Sequence, residues 1–368
     1  MAKALLSIFL PALGGGGAER VSTILANTLA EMGHSVDLVL AEAKGPHLES
    51  VDSTVNVIDL RAGRVMSSIP ALVKYLRSRQ PQALLATLDH ACVAALIATR
   101  LSGCDIRVVL RLANVLSTSI AQSRVIRSRF VLSPLIKLLY RRADKVIAVS
   151  HGVATDAMRF AAIPPERLVV INNPVPTDQI QRLTRESVEL PWIFDPNEPV
   201  VLAVGRLSPQ KDFRTLIRAF AKVRVHRNAR LVILGEGEQR EELERLVTDL
   251  GLKPYVSLPG FVKNPYAFMA RSAVFVLSSR WEGFPNVLVE AMAVGVPVVA
   301  TDCMAGPAEI LENGRYGQLV PVGDVDAMAA AIIRELDLGP GPREELQLRA
   351  KDFSPIKIAS EYLQVLID

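Results

Sequence analysis

Short apolar runs of strand length alternate along this chain with longer segments whose apolar residues recur at helical spacing, and glycine or proline stands at the joints. This alternation is typical of βαβ units stacked around a parallel sheet. In the first half the predicted strands cover residues 4–10, 36–40, 83–87, 107–110, 145–149 and 168–171. In the second half they cover residues 200–204, 231–234, 256–258, 274–277, 298–301 and 318–320. Each half is therefore expected to form a doubly wound α/β sheet of Rossmann type.

The alternation stops once, in a polar and proline-containing stretch between residues 172 and 199. A chain of 368 residues is also longer than one hydrophobic core usually serves. We therefore predict an N-terminal Rossmann-like domain (1–175), a linker (176–199), a C-terminal Rossmann-like domain (200–345) and a terminal segment (346–368).

Composition excludes several classes of protein. Half of the residues are hydrophobic and 22% are charged, which excludes a disordered chain. No run of about 18 apolar residues is free of charge, so no transmembrane helix is predicted. Aromatic residues make up 5%, which argues against a base-stacking nucleic-acid surface. Cys92, Cys104 and Cys303 form no paired motif, so neither a disulfide framework nor a zinc site is indicated, and a cytoplasmic protein is expected.

The first 13 residues could pass for a short signal peptide, but they lead directly into the glycine run 14–17 and a helical pattern that ends at Gly33. We therefore predict a strand, a glycine turn and a helix. Backbone amides at such a turn favour an anion such as phosphate. The run matches neither GxGxxG nor a Walker A loop, and a flexible turn without a ligand remains the alternative.

A second cluster follows the strand at 200–204, where Gly205, Arg206 and Lys211 share one loop. Open parallel sheets bind ligands at the carboxyl ends of their strands. An arginine fork together with a lysine suits a diphosphate. Two solvated surface cations are the alternative reading.

The most distinctive stretch contains Glu282 and Glu290, eight residues apart. Gly283 and Pro285 interrupt a continuous helix, so we predict Glu282 in a loop, Asn286 near a helix N-cap and Glu290 in an early turn. Amides there would hold an anion while the carboxylates accept hydroxyls, as a sugar nucleotide requires. A capped helix with an exposed glutamate is the alternative.

Taken together, these motifs resemble those of the retaining GT-B glycosyltransferases of family 4 (glycosyltransferase group 1 type). The resemblance covers nearly the whole chain and is most specific in the C-terminal half. It implies two facing Rossmann-like domains with a cleft between them, and a terminal helix that packs back on the N-terminal domain. The residues that it assigns to donor binding are Gly16, Gly17, Gly205, Phe284, Asn286, Val287 and Glu290, and those that it assigns to catalysis are Glu282, Arg206 and Lys211.

The resemblance implies transfer of a sugar from a nucleotide-diphospho-sugar, with UDP as the expected carrier and an N-acetylhexosamine as the expected sugar. The acceptor would be a glycan or a lipid-linked glycan in cell-surface polysaccharide biosynthesis. In the front-face mechanism proposed for such enzymes, the leaving phosphate takes the acceptor proton. No cofactor or metal is expected, because the DxD at residues 324–326 precedes a helical segment and Asp324 suits a helix cap.

One departure concerns the N-terminal half. Many relatives carry a histidine after the strand that corresponds to residues 108–110, whereas Arg111 and Asn114 follow it here. We assign Arg111, Asn114 and, as a candidate substitute for the histidine, His90 to the acceptor or transition-state side. A helix-capping or merely packed histidine is the alternative for His90.

Charge is unevenly distributed. Residues 1–190 hold 22 basic and 15 acidic residues, whereas residues 191–368 hold 20 and 23. Residues 106–143 contain eight arginines and lysines, many apolar residues and no acidic residue. This basic band is expected to meet an anionic membrane surface at the inner face of the cytoplasmic membrane, or a diphosphate-linked acceptor. A helix pair with a solvated basic face is the alternative.

Three other functions remain open. A GT-B nucleotide-sugar epimerase lacks this arrangement of two glutamates. A dinucleotide-dependent dehydrogenase needs the glycine fingerprint that residues 14–17 do not show. A non-catalytic sugar-nucleotide-binding protein would share the site residues without turnover.

Overall fold

A computed structural model describes residues 3–122, 132–188, 197–339 and 344–367. The chain divides into unit 1, residues 1–174 and 354–368, and unit 2, residues 175–353. Unit 2 thus includes a helix at Thr177–Leu183, inside the predicted linker, and a helix at Glu344–Ala350, whose larger part falls in the predicted terminal segment.

Unit 1 contains a seven-stranded sheet in which all neighbours pair in parallel, in the order β3-β2-β1-β4-β5-β6-β7. Its strands are β1 (Leu5–Leu10), β2 (Ser35–Leu40), β3 (Asn56–Asp59), β4 (Ala83–Thr87), β5 (Arg107–Leu112), β6 (Lys145–Ala148) and β7 (Leu168–Val170). Successive strands are added on one side of β1 up to β3 and on the other side from β4 onward. The direction of winding therefore reverses between β1 and β4.

Helices connect these strands. They are α1 (Gly17–Glu31), α2 (Ile69–Arg79), α3 (Asp89–Ser102), α4 (Leu116–Ala121), α5 (Ser133–Leu139) and α6 (His151–Ala161), with short 3₁₀ helices at Pro46–Ser50, Met66–Ser68, Tyr140–Arg142 and Pro165–Arg167. The C-terminal helix of the chain, which we number α15 (Pro355–Ile367), also belongs to unit 1. Its apolar face, including Ile358, Tyr362 and Leu366, completes the same core as β1 and α1.

Unit 2 contains a six-stranded parallel sheet in the order β10-β9-β8-β11-β12-β13. Its strands are β8 (Val200–Val204), β9 (Arg230–Leu234), β10 (Val256–Gly260), β11 (Val274–Leu277), β12 (Val298–Thr301) and β13 (Gln318–Val320). The winding reverses between β8 and β11. Crevices at such reversals, outside the carboxyl ends of the strands, are where open α/β sheets bind ligands.

The helices of unit 2 cover this sheet and include the one that carries Glu290. They are α7 (Thr177–Leu183), α8 (Phe213–His226), α9 (Arg240–Asp249), α10 (Tyr266–Met269), α11 (Asn286–Val294), α12 (Pro307–Ile310), α13 (Val325–Leu338) and α14 (Glu344–Ala350), followed by a 3₁₀ helix at Lys351–Phe353. The twelve predicted strands and the α/β class are confirmed. Strand β3 was not predicted, because three of its four residues are exposed and it lacks an apolar run.

Candidate active site

An ion pair joins the two loops that flank the winding reversal of unit 2. Lys211 follows β8 and Glu282 follows β11, and Lys211 Nζ lies 2.5 Å from Glu282 Oε1. The two side chains are only 17% and 8% exposed. Sequence analysis assigned both residues to one ligand site, and the structure brings them into direct contact.

The Glu282 carboxylate is held through one oxygen. Ser279 Oγ donates to the same Oε1 at 2.7 Å, while the structure shows no donor to Oε2 in its described ranges. Ser279 is in turn fixed by Thr301, whose Oγ1 donates to the Ser279 carbonyl at 2.5 Å. One carboxylate oxygen is thus committed to the protein, and the other can accept a hydrogen bond from a ligand hydroxyl.

The two loops are also tied together through their backbones. Gln210 Nε2 donates to the Trp281 carbonyl at 2.9 Å, and the Arg280 amide donates to the Gln210 carbonyl at 2.8 Å. Ser278 Oγ donates to the Lys211 carbonyl at 2.6 Å. These hydrogen bonds therefore hold the backbone of Lys211 next to the loop that carries Glu282.

Glycines make room for the lysine. A Cβ at Gly205 would lie 3.2 to 3.3 Å from the carbon atoms of the Lys211 side chain, closer than a relaxed contact. Gly235 has φ +138°, and a Cβ there would collide with the Gly205 carbonyl. The absence of side chains at both positions lets the loops after β8 and β9 pack backbone to backbone.

Arg206 is the cation of this loop that remains available. It is exposed, and over the described ranges it makes no hydrogen bond or ion pair. An anion bound beside the loop would therefore meet two cations. Lys211 is paired with Glu282, whereas Arg206 can bind the anion without first breaking an ion pair.

Helix α11 begins immediately after the Glu282 loop. Asn286, predicted near the N-cap, is the first helical residue, and Pro285 is the N-cap residue. Phe284 is buried, and Val287 lies in the first turn. The N-terminus of α11, which is the positive end of its dipole, thus lies four residues after Glu282 in the chain and favours an anion there.

Glu290 lies in the second turn of α11 and is buried. A buried carboxylate is retained where it is paired or hydrogen-bonded, so the reading of an exposed glutamate on a capped helix is wrong for this position. Its assignment to ribose hydroxyls stays a prediction.

Sequence reasoning missed the supporting residues. Ser279 and Thr301 are fully buried, and Cys303, after β12, is nearly so. Burial and, next, the Glu282 carboxylate raise the pKa of the Cys303 thiol to about 12, which keeps the thiol neutral beside the ion pair. Serine, threonine and cysteine at strand ends are too common for a single sequence to single them out.

In unit 1, the glycine turn lies at the other winding reversal. Helix α1 begins at Gly17, with Gly16 as an extended N-cap residue. The Glu19 carboxylate is folded against Gly16 so closely that a Cβ at Gly16 would collide with it. The α1 N-terminus therefore already has a carboxylate beside it in this structure, and the assignment of Gly16 and Gly17 to the donor stays a prediction.

Arg111 is placed differently from the expectation. Its side chain is 1% exposed. Its guanidinium donates to Tyr362 Oη at 3.1 Å, Thr87 Oγ1 at 3.0 Å and Asn173 Oδ1 at 2.6 Å. These bonds tie β4, β5 and α15 together inside unit 1, so the guanidinium is held by protein groups, and its assignment to the acceptor side stays a prediction.

His90 and Asn114 are both exposed, after β4 and β5 respectively. His90 follows Asp89, the first residue of α3, and Leu88, whose φ of +74° marks a sharp turn at the strand end. Burial raises the pKa of Asp89, although Ser119 Oγ at 3.3 Å and Tyr140 Oη at 3.4 Å lie within hydrogen-bonding distance of its carboxylate. The assignment of His90 and Asn114 to the acceptor side stays a prediction.

The described part of the chain offers no group of three or more histidine, cysteine or acidic residues that could hold a metal ion. Asp324 accepts a hydrogen bond from the Ala327 amide at 2.9 Å and caps α13, as predicted. Its carboxylate is thus used within the helix turn that follows it.

The basic band at 106–143 is only partly described. Its arginines 124, 127 and 129 fall in residues 123–131, outside the described ranges. Arg107 donates to the Val365 carbonyl at 2.9 Å, while Lys137, Leu138, Arg141 and Arg142 are exposed. No helix in the described ranges is long and apolar enough to span a bilayer.

Comparison with known proteins identifies the families. Residues 198–337 match the model described as glycosyl transferases group 1, and residues 15–179 match that of glycosyltransferase family 4. A Campylobacter jejuni N-acetylgalactosamine-N,N'-diacetylbacillosaminyl-diphospho-undecaprenol 4-alpha-N-acetylgalactosaminyltransferase is 30% identical over 98% of this chain and 99% of its own. The lipopolysaccharide core biosynthesis glycosyltransferase LpsE of Rhizobium meliloti is 28% identical over 95% of this chain and 96% of its own.

Among solved structures, Anabaena HepE in complex with UDP-glucose superposes with a TM-score of 0.79 at 24% identity, covering 99% of both chains. This likeness, together with the two parallel sheets, shows a two-domain GT-B fold.

Proposed function

Because this chain belongs to the family 4 glycosyltransferases (glycosyl transferases group 1), we propose that it is a retaining enzyme that transfers a sugar from UDP to a lipid-linked glycan. Glycosyl transfer itself follows from the family. The observation that carries the proposal for the donor is the buried contact of Lys211 with Glu282 at the winding reversal of unit 2.

The donor diphosphate would lie beside the loop after β8 and the N-terminus of α11. Arg206 and Lys211 supply the cations, and the helix dipole adds positive potential. The ribose hydroxyls would be bound by Glu290, and a sugar hydroxyl would donate to Oε2 of Glu282. The fold already holds Lys211 and Glu282 in one orientation, which lowers the entropy lost when they bind the donor.

The reaction breaks the bond between the anomeric carbon and the phosphate oxygen, and the electron pair goes to the diphosphate. The acceptor hydroxyl forms its bond on the same face of the sugar, and its proton passes to the leaving phosphate oxygen. Negative charge therefore grows on the diphosphate as the bond breaks. Fixed cations bind that transition state more strongly than the ground state, which is the condition for a rate increase.

The proposal of an N-acetylhexosamine and a lipid-linked acceptor is supported by the Campylobacter relative, and that of UDP as the carrier by the HepE complex with UDP-glucose. The name of the Campylobacter relative gives an N-acetylgalactosaminyl group as the sugar transferred, an alpha linkage and a diphospho-undecaprenol acceptor. The exposed cluster of Lys137, Arg141, Arg142 and Leu138 adds a surface suited to anionic lipid headgroups or to the diphosphate of such an acceptor. We propose peripheral association with the inner face of the cytoplasmic membrane on this basis.

A donor screen tests the activity. Purified protein is incubated with UDP-, GDP- and ADP-sugars without acceptor, and slow release of nucleotide is measured, with the anomer of the released sugar read by NMR before it mutarotates. We expect release from a UDP-N-acetylhexosamine and a released sugar in the alpha configuration. Preference for a GDP- or ADP-sugar contradicts the donor assignment, and a beta product contradicts retention. Net conversion of the donor to an epimer supports the epimerase instead.

Vesicle co-sedimentation tests the membrane surface. Binding to vesicles that contain anionic phospholipid, lost at high salt, is expected, whereas neutral vesicles should leave the protein in the supernatant. Absence of binding to anionic vesicles at low salt contradicts the proposal.

A further inference from the structure

The loop that carries Glu282 is packed against the last residues of unit 2. We call residues 282–286 the donor loop and residues 344–353, which comprise α14 and the 3₁₀ helix after it, the closing segment. The rings of Phe284 and Phe353 meet edge to face, with centroids 5.4 Å apart and an interplanar angle of 62°. Both side chains are buried.

The closing segment also contacts the other end of α11. Gln347 Nε2 donates to the Val294 carbonyl at 3.1 Å, and the Gln347 side chain lies against Gly295, at the C-cap of the helix. The closing segment therefore contacts the C-terminus of α11 through Gln347, and through Phe353 it contacts the donor loop, which precedes the N-terminus of α11. Glu290 lies on the helix between these two contacts.

Arg349 fixes the closing segment in place. Its Nε donates to the Ile310 carbonyl at 3.1 Å and its Nη2 to the Glu309 carbonyl at 3.0 Å, at the C-terminal end of α12. Its guanidinium also lies 4.9 Å from the centroid of the Phe353 ring. The ring that meets Phe284 is thus itself held by a cation–π contact.

Helix α12 reaches the donor loop from its other end. The position of a Cβ on Gly306, the N-cap residue of α12, is 3.2 Å from Phe284 Cα. Gly306 has φ +96°, which favours glycine and permits this approach. Phe284 is therefore contacted at its backbone by the α12 turn and at its ring by Phe353.

Phe353 also lies where the chain leaves unit 2. Its carbonyl accepts a hydrogen bond from the Val175 amide at 2.8 Å, and Val175 and Phe353 are the first and last residues of that unit. The ring and the carbonyl of one residue thus connect the donor loop to the ends of unit 2.

We propose that Phe353 is a positioning residue of the donor site. Its ring fixes Phe284 and, through it, the backbone of the donor loop whose amides are assigned to the donor, without touching the donor itself. The inference rests on the proposed function, since it requires that unit 2 holds the nucleotide. Binding groups must be held within a fraction of an ångström by a supporting shell, and the closing segment supplies such a shell here.

UDP titration of purified variants by calorimetry tests this role. Phe353→Leu keeps an apolar side chain but removes the ring edge, and we expect the Kd for UDP to rise about three- to tenfold. Phe284→Leu should have a similar effect, and the double variant should be little worse than either single variant, because both remove the same contact. The matched control is Phe220→Leu in α8, which removes a buried ring of the unit 2 core and should lower Tm without changing UDP affinity.

Hydrogen exchange on the wild-type protein gives a second readout that needs no variant to fold. UDP should slow exchange in residues 344–353, far from the donor loop in sequence. Wild-type affinity in Phe353→Leu, or no protection of residues 344–353, overturns the positioning role while UDP binding by the wild type leaves the proposed function standing. Failure of the wild type to bind UDP overturns the UDP assignment and this inference with it.

Discussion

Lys211 Nζ lies 2.5 Å from Glu282 Oε1, and each side chain is largely buried at the end of a different strand. The pair lies between β8 and β11, where the order of the strands in the sheet of unit 2 reverses. A buried ion pair contributes little net stability compared with apolar residues, so its presence here favours a functional reason for it.

Separating the partners should cost stability, and removing both should restore most of it. Lys211→Met leaves the Glu282 carboxylate without its counterion, and we expect the free energy of unfolding to fall by about 3–5 kcal/mol. The double variant Lys211→Met/Glu282→Gln has no buried charge at this position and should recover to within about 1.5 kcal/mol of the wild type. Urea unfolding measures both. A double variant as unstable as Lys211→Met would show that the unpaired Glu282 charge is not the cause of the lost stability.

Gly205→Ala should reduce turnover without reducing stability. The added methyl group would lie 3.2 to 3.3 Å from the Lys211 side chain, so the lysine must shift by a few tenths of an ångström. Gly205 has no positive φ, so alanine is compatible with the backbone. We expect kcat to fall about tenfold and the free energy of unfolding to change by less than about 0.5 kcal/mol. Unchanged kcat would mean that the position of Lys211 does not limit the reaction.

Arg111→Met should affect folding and not donor binding. It removes the three side-chain hydrogen bonds to Asn173, Thr87 and Tyr362, so a loss of about 3 kcal/mol is expected. Urea unfolding and UDP titration on the same preparation measure the two effects. If the variant keeps the stability of the wild type but loses sugar transfer, Arg111 acts on the acceptor side instead.

Asp37 should make stability depend on pH in the acid range. Burial opposes its charge, but hydrogen bonds from Arg79, Tyr75 and Asn56 hold the pKa of this carboxyl below its usual value. Because the folded-state pKa lies below the unfolded-state value of about 4, the stabilisation is present above pH 4 and is lost as pH falls through the folded-state pKa. Unfolding of wild type and Asp37→Asn between pH 2.5 and about 7 measures it. The free energy of unfolding should be larger for the wild type than for Asp37→Asn at neutral pH, and this difference should shrink in acid. A difference that stays constant with pH would contradict the linkage.

The sequence predicted much of this fold because buried parallel strands leave continuous apolar runs, as in residues 200–204 and 231–234. It missed Asn56–Asp59, an edge strand with exposed side chains whose pairing with β2 is made by backbone groups. It also placed residues 346–353 in the terminal segment, since helical spacing does not show which core a helix packs against.

For the site, the sequence placed Lys211 and Glu282 near one ligand, because loops that follow strands of a parallel sheet meet at the same edge, and the structure brings the two side chains into contact. Ser279 and Thr301 were not, since their importance comes from where the sheet places them. The burial of Arg111 was not predicted, because an arginine at a strand end is usually exposed, whereas here Tyr362 and Asn173 bring it buried partners from distant parts of the chain.

Nucleotide release at saturating UDP-sugar, compared between the wild type and Lys211→Met/Glu282→Gln, tests the central assignment most directly. The double variant is predicted to remain folded, so a change in rate reports on the chemistry. We expect kcat to fall at least about a hundredfold. A rate within a few-fold of the wild type would show that this buried pair is not part of the catalytic site.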